Sequence, residues 1–177
     1  GSPYAFHTLG SCIVVNTTHY CQVRGYPKRA AGEDFYLLNK LAKLKPIYTV
    51  TAPQSTQAGC IEINARLSDR VPFGTGPAVQ KIVTQLQRGT IYRYYNIRTF
   101  VALKTWLDAI PLIWQYRHAP DTFLALFTLP IQDALRALNI DHFFVHISTQ
   151  IKTPESCRAQ AHIWFDAFRT LKFIHFL

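Results

Sequence analysis

The sequence predicts a mixed α/β fold, with short strands and helices in a first part and a mostly α-helical extension after it. Up to about residue 70, β-prone runs alternate with helical stripes. Beyond Phe73-Gly74-Thr75-Gly76 apolar residues recur almost only at helical spacing. A hydrophobic content of 49% and an aromatic content of 14% over 177 residues supply a packed core for one domain or a little more. The change of texture divides the chain into residues 1–75 and residues 76–177.

In chain order, Ser11-Cys12-Ile13-Val14-Val15-Asn16 is short, β-branched and closed by a polar residue, which predicts a buried strand. Thr17 or Thr18 then offers a cap for a short helix, and Gly25 and Pro27 break the chain into a turn-rich connector. After Gly32, the spacing of Phe35, Leu38, Leu41 and Ala42 predicts a helix. Lys40, Lys43 and Lys45 fall towards its end, where positive charge suits the macrodipole. Residues 46–51 (PIYTVT) and 59–66 (GCIEINAR) are β-prone and bracket a polar loop.

Val79, Ile82, Val83 and Leu86 form the next stripe, with Pro77 in its first turn and Gly89 at its stop. Phe100, Leu103, Leu107, Ile110 and Trp114 follow, interrupted by Pro111. A helical segment from Thr122 to Leu138 is bent or broken at Pro130, and His142 to Ile147 (HFFVHI) reads as a short strand. The last stripe, Cys157, Ala161, Trp164, Phe168 and Leu171, starts behind a Thr153-Pro154-Glu155 cap signal. The sequence contains no internal repeat and no low-complexity tract.

Lys and Arg number 19 against 10 Asp and Glu, a formal charge of +9 that attracts anionic partners: nucleotides, nucleic acid or acidic lipid headgroups. The four cysteines are scattered without a CxxC pair, which fits buried thiols in a reducing compartment rather than a disulfide framework. The longest apolar stretch, Phe123 to Ile131, is far short of the roughly 20 residues needed to cross a bilayer. The absence of Met and the Gly1-Ser2 opening suggest a piece of a longer chain.

Two constellations carry chemistry. In Gly32-Glu33-Asp34 both carboxylates fall in the first turn of a helix, near the positive end of its dipole and its free N–H groups, and an ionised carboxylate can serve as a general base. Lys28 and Arg29 add positive charge beside it, and Ala30-Ala31-Gly32 leaves room for a ligand to approach. Acidic residues at helix starts are also common capping devices, so spacing alone leaves both readings open. In the second constellation, Arg66 and Arg70 stand four apart, able to clasp diphosphate oxygens, ahead of Gly74, Thr75 and Gly76, whose N–H groups could meet an anion. A tight turn with surface arginines is the competing reading. His142 and His146 are also four apart, but no acidic or Cys partner accompanies them, and no metal ligand set is assigned to this chain.

Three runs, HTLGSCIVVN (7–16), YCQVRGYPKRAAGEDFYLLNKLAKL (20–44) and ARLSDRVPFGTGPAV (65–79), together resemble the downstream half of a bacterial family 2 glycosyltransferase, one of the A-type nucleotide-sugar transferases. The resemblance covers about residues 3 to 80 and the helical remainder only loosely. It implies a partial A-type core in residues 1–75, the acceptor side, with residues 76–177 as a helical C-terminal extension.

It further implies that Asp34 deprotonates an acceptor hydroxyl, which attacks the anomeric carbon of a nucleotide sugar with inversion, while Glu33 orients or binds. Arg66, Arg70 and residues 74–76 would then belong to a mobile loop near the donor phosphates, and His7 would run into the cleft. The resemblance also implies a divalent metal, Mn or Mg, in the full-length parent, none of it held firmly by this chain. No Asp-X-Asp occurs here, so the donor-binding half is expected upstream and the isolated chain is expected to be inactive. The implied partners are a nucleotide-sugar donor and a hydroxyl acceptor; on a separate, structural reading, a piece lacking its donor half could pair with a second copy through the face exposed by truncation. The scattered cysteines fit a cytoplasmic chain, and the charge of +9 would suit a peripheral site at the inner membrane face.

Two other classes compete with this reading. One is a basic anion-binding module for nucleic acid or anionic lipid, supported by the charge and the Tyr- and Arg-bearing run 91–98 (IYRYYNIR). The lack of any RNP, helix-turn-helix or zinc signature disfavours nucleic acid. The other is a non-catalytic interaction fragment.

Overall fold

A computed structural model of the chain describes residues 2–8, 10–50 and 75–177. Among these every regular element is helical, so the α/β expectation is overturned. Two compact units are present: Phe6–Tyr94, and Tyr95–Leu177 together with the residues up to Ala5.

In the first unit, a 3₁₀ turn (Gly10–Cys12) is followed by α1 (Thr17–Gln22), α2 (Glu33–Leu41) and α3 (Thr75–Gln87). α1 is capped by Asn16, whose side chain accepts from Thr18 N at 3.0 Å and His19 N at 3.3 Å, one residue before the expected threonines. Val23, Leu37, Leu38 and Leu41 form a small core, packed by Phe6, Ile13, Val15, Tyr20 and Ile47. Lys40 Nζ donates to Val23 O at 3.0 Å, tying the end of α1 to α2.

The expected strand at 11–16 is instead a 3₁₀ turn running into an extended segment. Ile13 and Val15 pack against the small core while Val14 is fully exposed. The alternation is therefore real, but no strand pairs with the segment among the described residues, and a β-branched run without a ladder partner is only an extended segment. Residues 46–50 behave likewise, with Ile47 against the core and Tyr48 and Val50 exposed. The expected strand at 59–66 lies outside the described residues.

The second unit comprises α4 (Ile97–Ala109), α5 (Pro120–Leu124), α6 (Leu129–Ala137), α7 (Ile140–Gln150), α8 (Pro154–Trp164) and α9 (Ala167–Phe176), with a 3₁₀ turn at Ile110–Leu112 that accommodates Pro111. Asn96, Thr153 and Asp166 cap α4, α8 and α9 through their side chains. The helical segment expected from Thr122 to Leu138 is two helices, and Pro130 sits in the first turn of the second, where its missing N–H costs nothing. Residues 142–147 are not a strand but part of α7. The buried set Ile140, Phe143, Phe144 and Ile147 recurs every three or four residues, and this period outweighs the β-propensity of its members.

Trp106 lies at the centre of an aromatic core. Its ring meets Phe165 at 5.3 Å, Phe127 at 6.1 Å, and Phe123 and Trp164 at 6.2 Å. Phe123 extends the cluster to Phe144 at 5.4 Å, and Phe143 stacks on Trp164 at 4.8 Å. Among the described residues no helix is long and apolar enough to cross a membrane.

Candidate functional site

The GED sequence lies where α2 begins. Gly32 precedes the helix with φ 72°, a left-handed conformation natural to glycine, and no side chain caps the helix at this position. Glu33 and Asp34 then occupy the first turn, Glu33 exposed and Asp34 half-buried. Asp34 Oδ1 accepts from the backbone N of Phe35 at 2.7 Å.

The other oxygen faces the 3₁₀ turn. A Cβ placed on Gly10 would stand 3.0 Å from Asp34 Oδ2, tighter than ordinary van der Waals contact. The turn from the HTLGSC run thus packs against the GED helix, two segments more than twenty residues apart in sequence meeting at one carboxylate. Gly10, to which the sequence alone assigns no role, leaves space for Asp34.

Arg29 lies over the ring of Tyr36, 4.2 Å from guanidinium carbon to centroid, which holds an exposed cation beside α2. Lys28 and His7 are exposed. Among the described residues, neither Glu33 nor Asp34 forms an ion pair with Lys28, Arg29 or any other cation. Thr75 and Gly76 open α3 instead of preceding it, with Gly76 buried and Pro77 in the first turn. Arg66, Arg70 and Gly74 lie outside the described residues, so the proposed phosphate clasp is represented only by its last two positions.

Among the described residues no group of three His, Cys, Asp or Glu side chains converges as a metal site, and His142 and His146 are both exposed on α7. Cys21 and Cys157 are free thiols; Cys157 is buried, but Cys21 is exposed, against the expectation of burial.

The second unit holds a different polar cluster. A cavity of about 320 Å³ is lined by Asp108, Pro111, Arg158 and His162 with neighbouring apolar residues. Burial, with the Arg158 charge beside it, pushes the His162 imidazole below its ordinary value. Tyr4 donates its hydroxyl to His162 O at 3.0 Å, and burial, followed by the negative charge of Asp166, pushes the phenol up to about 12.

Compared with models of protein families, with curated proteins and with solved structures, the chain matches none.

Proposed function

We propose that residues 1–75, most of them in the compact unit Phe6–Tyr94, belong to the acceptor side of an inverting glycosyltransferase, with Asp34 as general base and Glu33 as the neighbour that orients the acceptor. The observation that supports this reading best is the meeting of Gly10 and Asp34. Two of the three runs that carry the family resemblance converge on one half-buried carboxylate at a helix start. In the proposed step the acceptor oxygen forms a bond to the anomeric carbon as the bond to the nucleoside diphosphate breaks. The hydroxyl proton passes to Asp34.

Charge supports the same unit. Eleven of the nineteen Lys and Arg, against four of the ten Asp and Glu, fall within residues 6–94. A diphosphate-bearing donor suits such a surface. Arg66, Arg70, Arg29 and Lys28 are the proposed phosphate contacts, with His7 at the edge of the cleft. A divalent metal, Mn or Mg, would supply charge stabilisation of the leaving group and belongs in this proposal to a donor-binding half. Among the described residues no group of three His, Cys, Asp or Glu side chains converges to hold one. Cytoplasmic location, with peripheral approach to a membrane, is part of the same proposal.

The test is Asp34→Asn in a protein that also carries a donor-binding half. Transfer should fall by about 10² to 10⁴ with the melting temperature unchanged, and Glu33→Gln should cost less. An unaltered rate in Asp34→Asn would remove the base. The competing reading, a basic module for nucleic acid or anionic lipid, draws on the same charge. It would be favoured by salt-sensitive binding to either polyanion that ignores nucleotide sugars.

A further inference from the structure

A second cavity, of about 680 Å³, lies beside α3 and shares no lining residue with the GED site. Lys81 and Gln85 line it from the helix, and Thr90, Tyr92 and Arg93 from the segment that follows. That segment is anchored by a helix stop. Gly89, at φ 65°, donates its N–H to Leu86 O at 3.0 Å, and Thr90 N donates to Gln85 O at 2.9 Å, the paired bonds of a Schellman cap. Thr90 Oγ1 adds a third bond to Gln85 O at 3.0 Å. The chain is therefore turned back against the last turn of α3 and held there.

Three properties of the lining indicate a ligand. Lys81 and Arg93 are exposed cations with no carboxylate in ion-pair reach among the described residues, and two like charges on one cavity favour an anion between them. Tyr92 is half-buried, and Tyr94 packs edge-on against it with ring centroids 5.0 Å apart, so the ring lining the cavity is braced at one tilt. Gln85 Oε1 is shut off from solvent without a hydrogen-bond donor, an acceptor that a ligand hydroxyl would satisfy once the amide turns about its terminal torsion.

We propose that this cavity binds an anionic sugar: a saccharide ring laid on Tyr92, its phosphate or carboxylate between Lys81 and Arg93, and a hydroxyl donated to Gln85. The unmet amide acceptor favours a sugar, which carries several hydroxyl donors, over a bare anion. The site does not depend on Asp34 being a base.

The full 177-residue chain is titrated with glucose 1-phosphate, glucuronate, glucose, inorganic phosphate and adenosine monophosphate, following backbone amides by NMR and heat by calorimetry. Glucose 1-phosphate and glucuronate should bind saturably and shift the amides of residues 89–94, while neutral glucose should not bind. Lys81→Ala and Arg93→Ala should each weaken binding by about tenfold. Tyr92→Ala should weaken sugar phosphate but not inorganic phosphate, and Tyr92→Phe should restore it. Asp34→Asn, whatever its effect on transfer, should leave the affinity for glucose 1-phosphate at this cavity unaltered, so loss of binding in that variant would place the ligand at the GED site and overturn the proposal. It is equally overturned if a sample with a cooperative melt binds neither anionic sugar, or if the Lys81→Ala/Arg93→Ala double variant binds unchanged. Adenosine monophosphate binding with the same dependence on Tyr92 and more tightly than glucose 1-phosphate would make the site a base-stacking one and overturn the sugar assignment.

Discussion

Gly10 sits against the carboxylate of Asp34, so close that a Cβ on the glycine would come within 3.0 Å of Oδ2. The φ of Gly10 does not demand a glycine, but the Asp34 carboxylate opposite leaves little room for a Cβ. This fixes how the GED carboxylate is held: one oxygen bonded to the Phe35 amide, the other against bare backbone.

Gly10→Ala should therefore move Asp34 rather than the backbone. The expected result is a shifted Phe35 amide resonance with stability changed by less than about 1 kcal/mol, because the carboxylate is half-exposed and can rotate away. In a transfer-competent protein the rate should fall more than tenfold. An unmoved Phe35 resonance would show that the contact does not position Asp34.

The cap on α9 is a stability prediction of another kind. Asp166 is 6% exposed and accepts from Phe168 N at 3.1 Å and Arg169 N at 3.2 Å. Asp166→Ala should cost about 1–2 kcal/mol in urea unfolding, and Asp166→Asn, which keeps an acceptor oxygen, distinctly less. Equal losses would show that charge, not the cap bond, matters there.

Trp106 and Phe123 are both fully buried in the aromatic core. Phe123→Ala should destabilise the second unit by about 3–5 kcal/mol through the cavity it leaves. Trp106→Phe should cost less, because the indole N–H it removes is buried without an acceptor. Calorimetric melting of the two variants decides the order.

Two groups of the second unit tie stability to pH. The folded state holds His162 below its ordinary value of 6.5, so the unfolded chain takes up a proton first as pH falls. Stability is full above 6.5 and is lost below it, and His162→Gln should flatten that acidic limb. Tyr4 has the opposite sense. Its phenol, raised from 10.0 to about 12, keeps its proton in the fold where the unfolded chain has lost it, so stability falls as pH rises from 10.0 towards 12. Tyr4→Phe should remove that alkaline limb. Unfolding free energies against pH for the two variants check both signs.

What was legible in the sequence was whatever depends on near neighbours along the chain. The stripe Phe35, Leu38, Leu41 placed α2, and with it Glu33 and Asp34 in a first turn. The stripe at Val79 placed α3, and Gly89 its stop. The net charge of +9 is likewise a property of the sequence alone. The breaks were harder. Thr153 and Pro154 marked the start of α8, but the stripe running on to Leu171 hid the division into α8 and α9, where Asp166 caps a new helix.

Tertiary structure decided the rest. An alternating run such as Ile13-Val14-Val15 becomes a strand only if another segment meets its N–H and C=O groups, and its own residues do not specify that partner. The same holds for HFFVHI, whose aromatic side chains went to a helical stripe because the core around Phe123 and Trp164 takes Phe143 and Phe144 together. The approach of Gly10 to Asp34 likewise depends on how the backbone returns on itself. Period and charge are local properties and could be read in order. Pairing and enclosure are set by packing free energy summed over residues distant in sequence, which only the folded chain brings together.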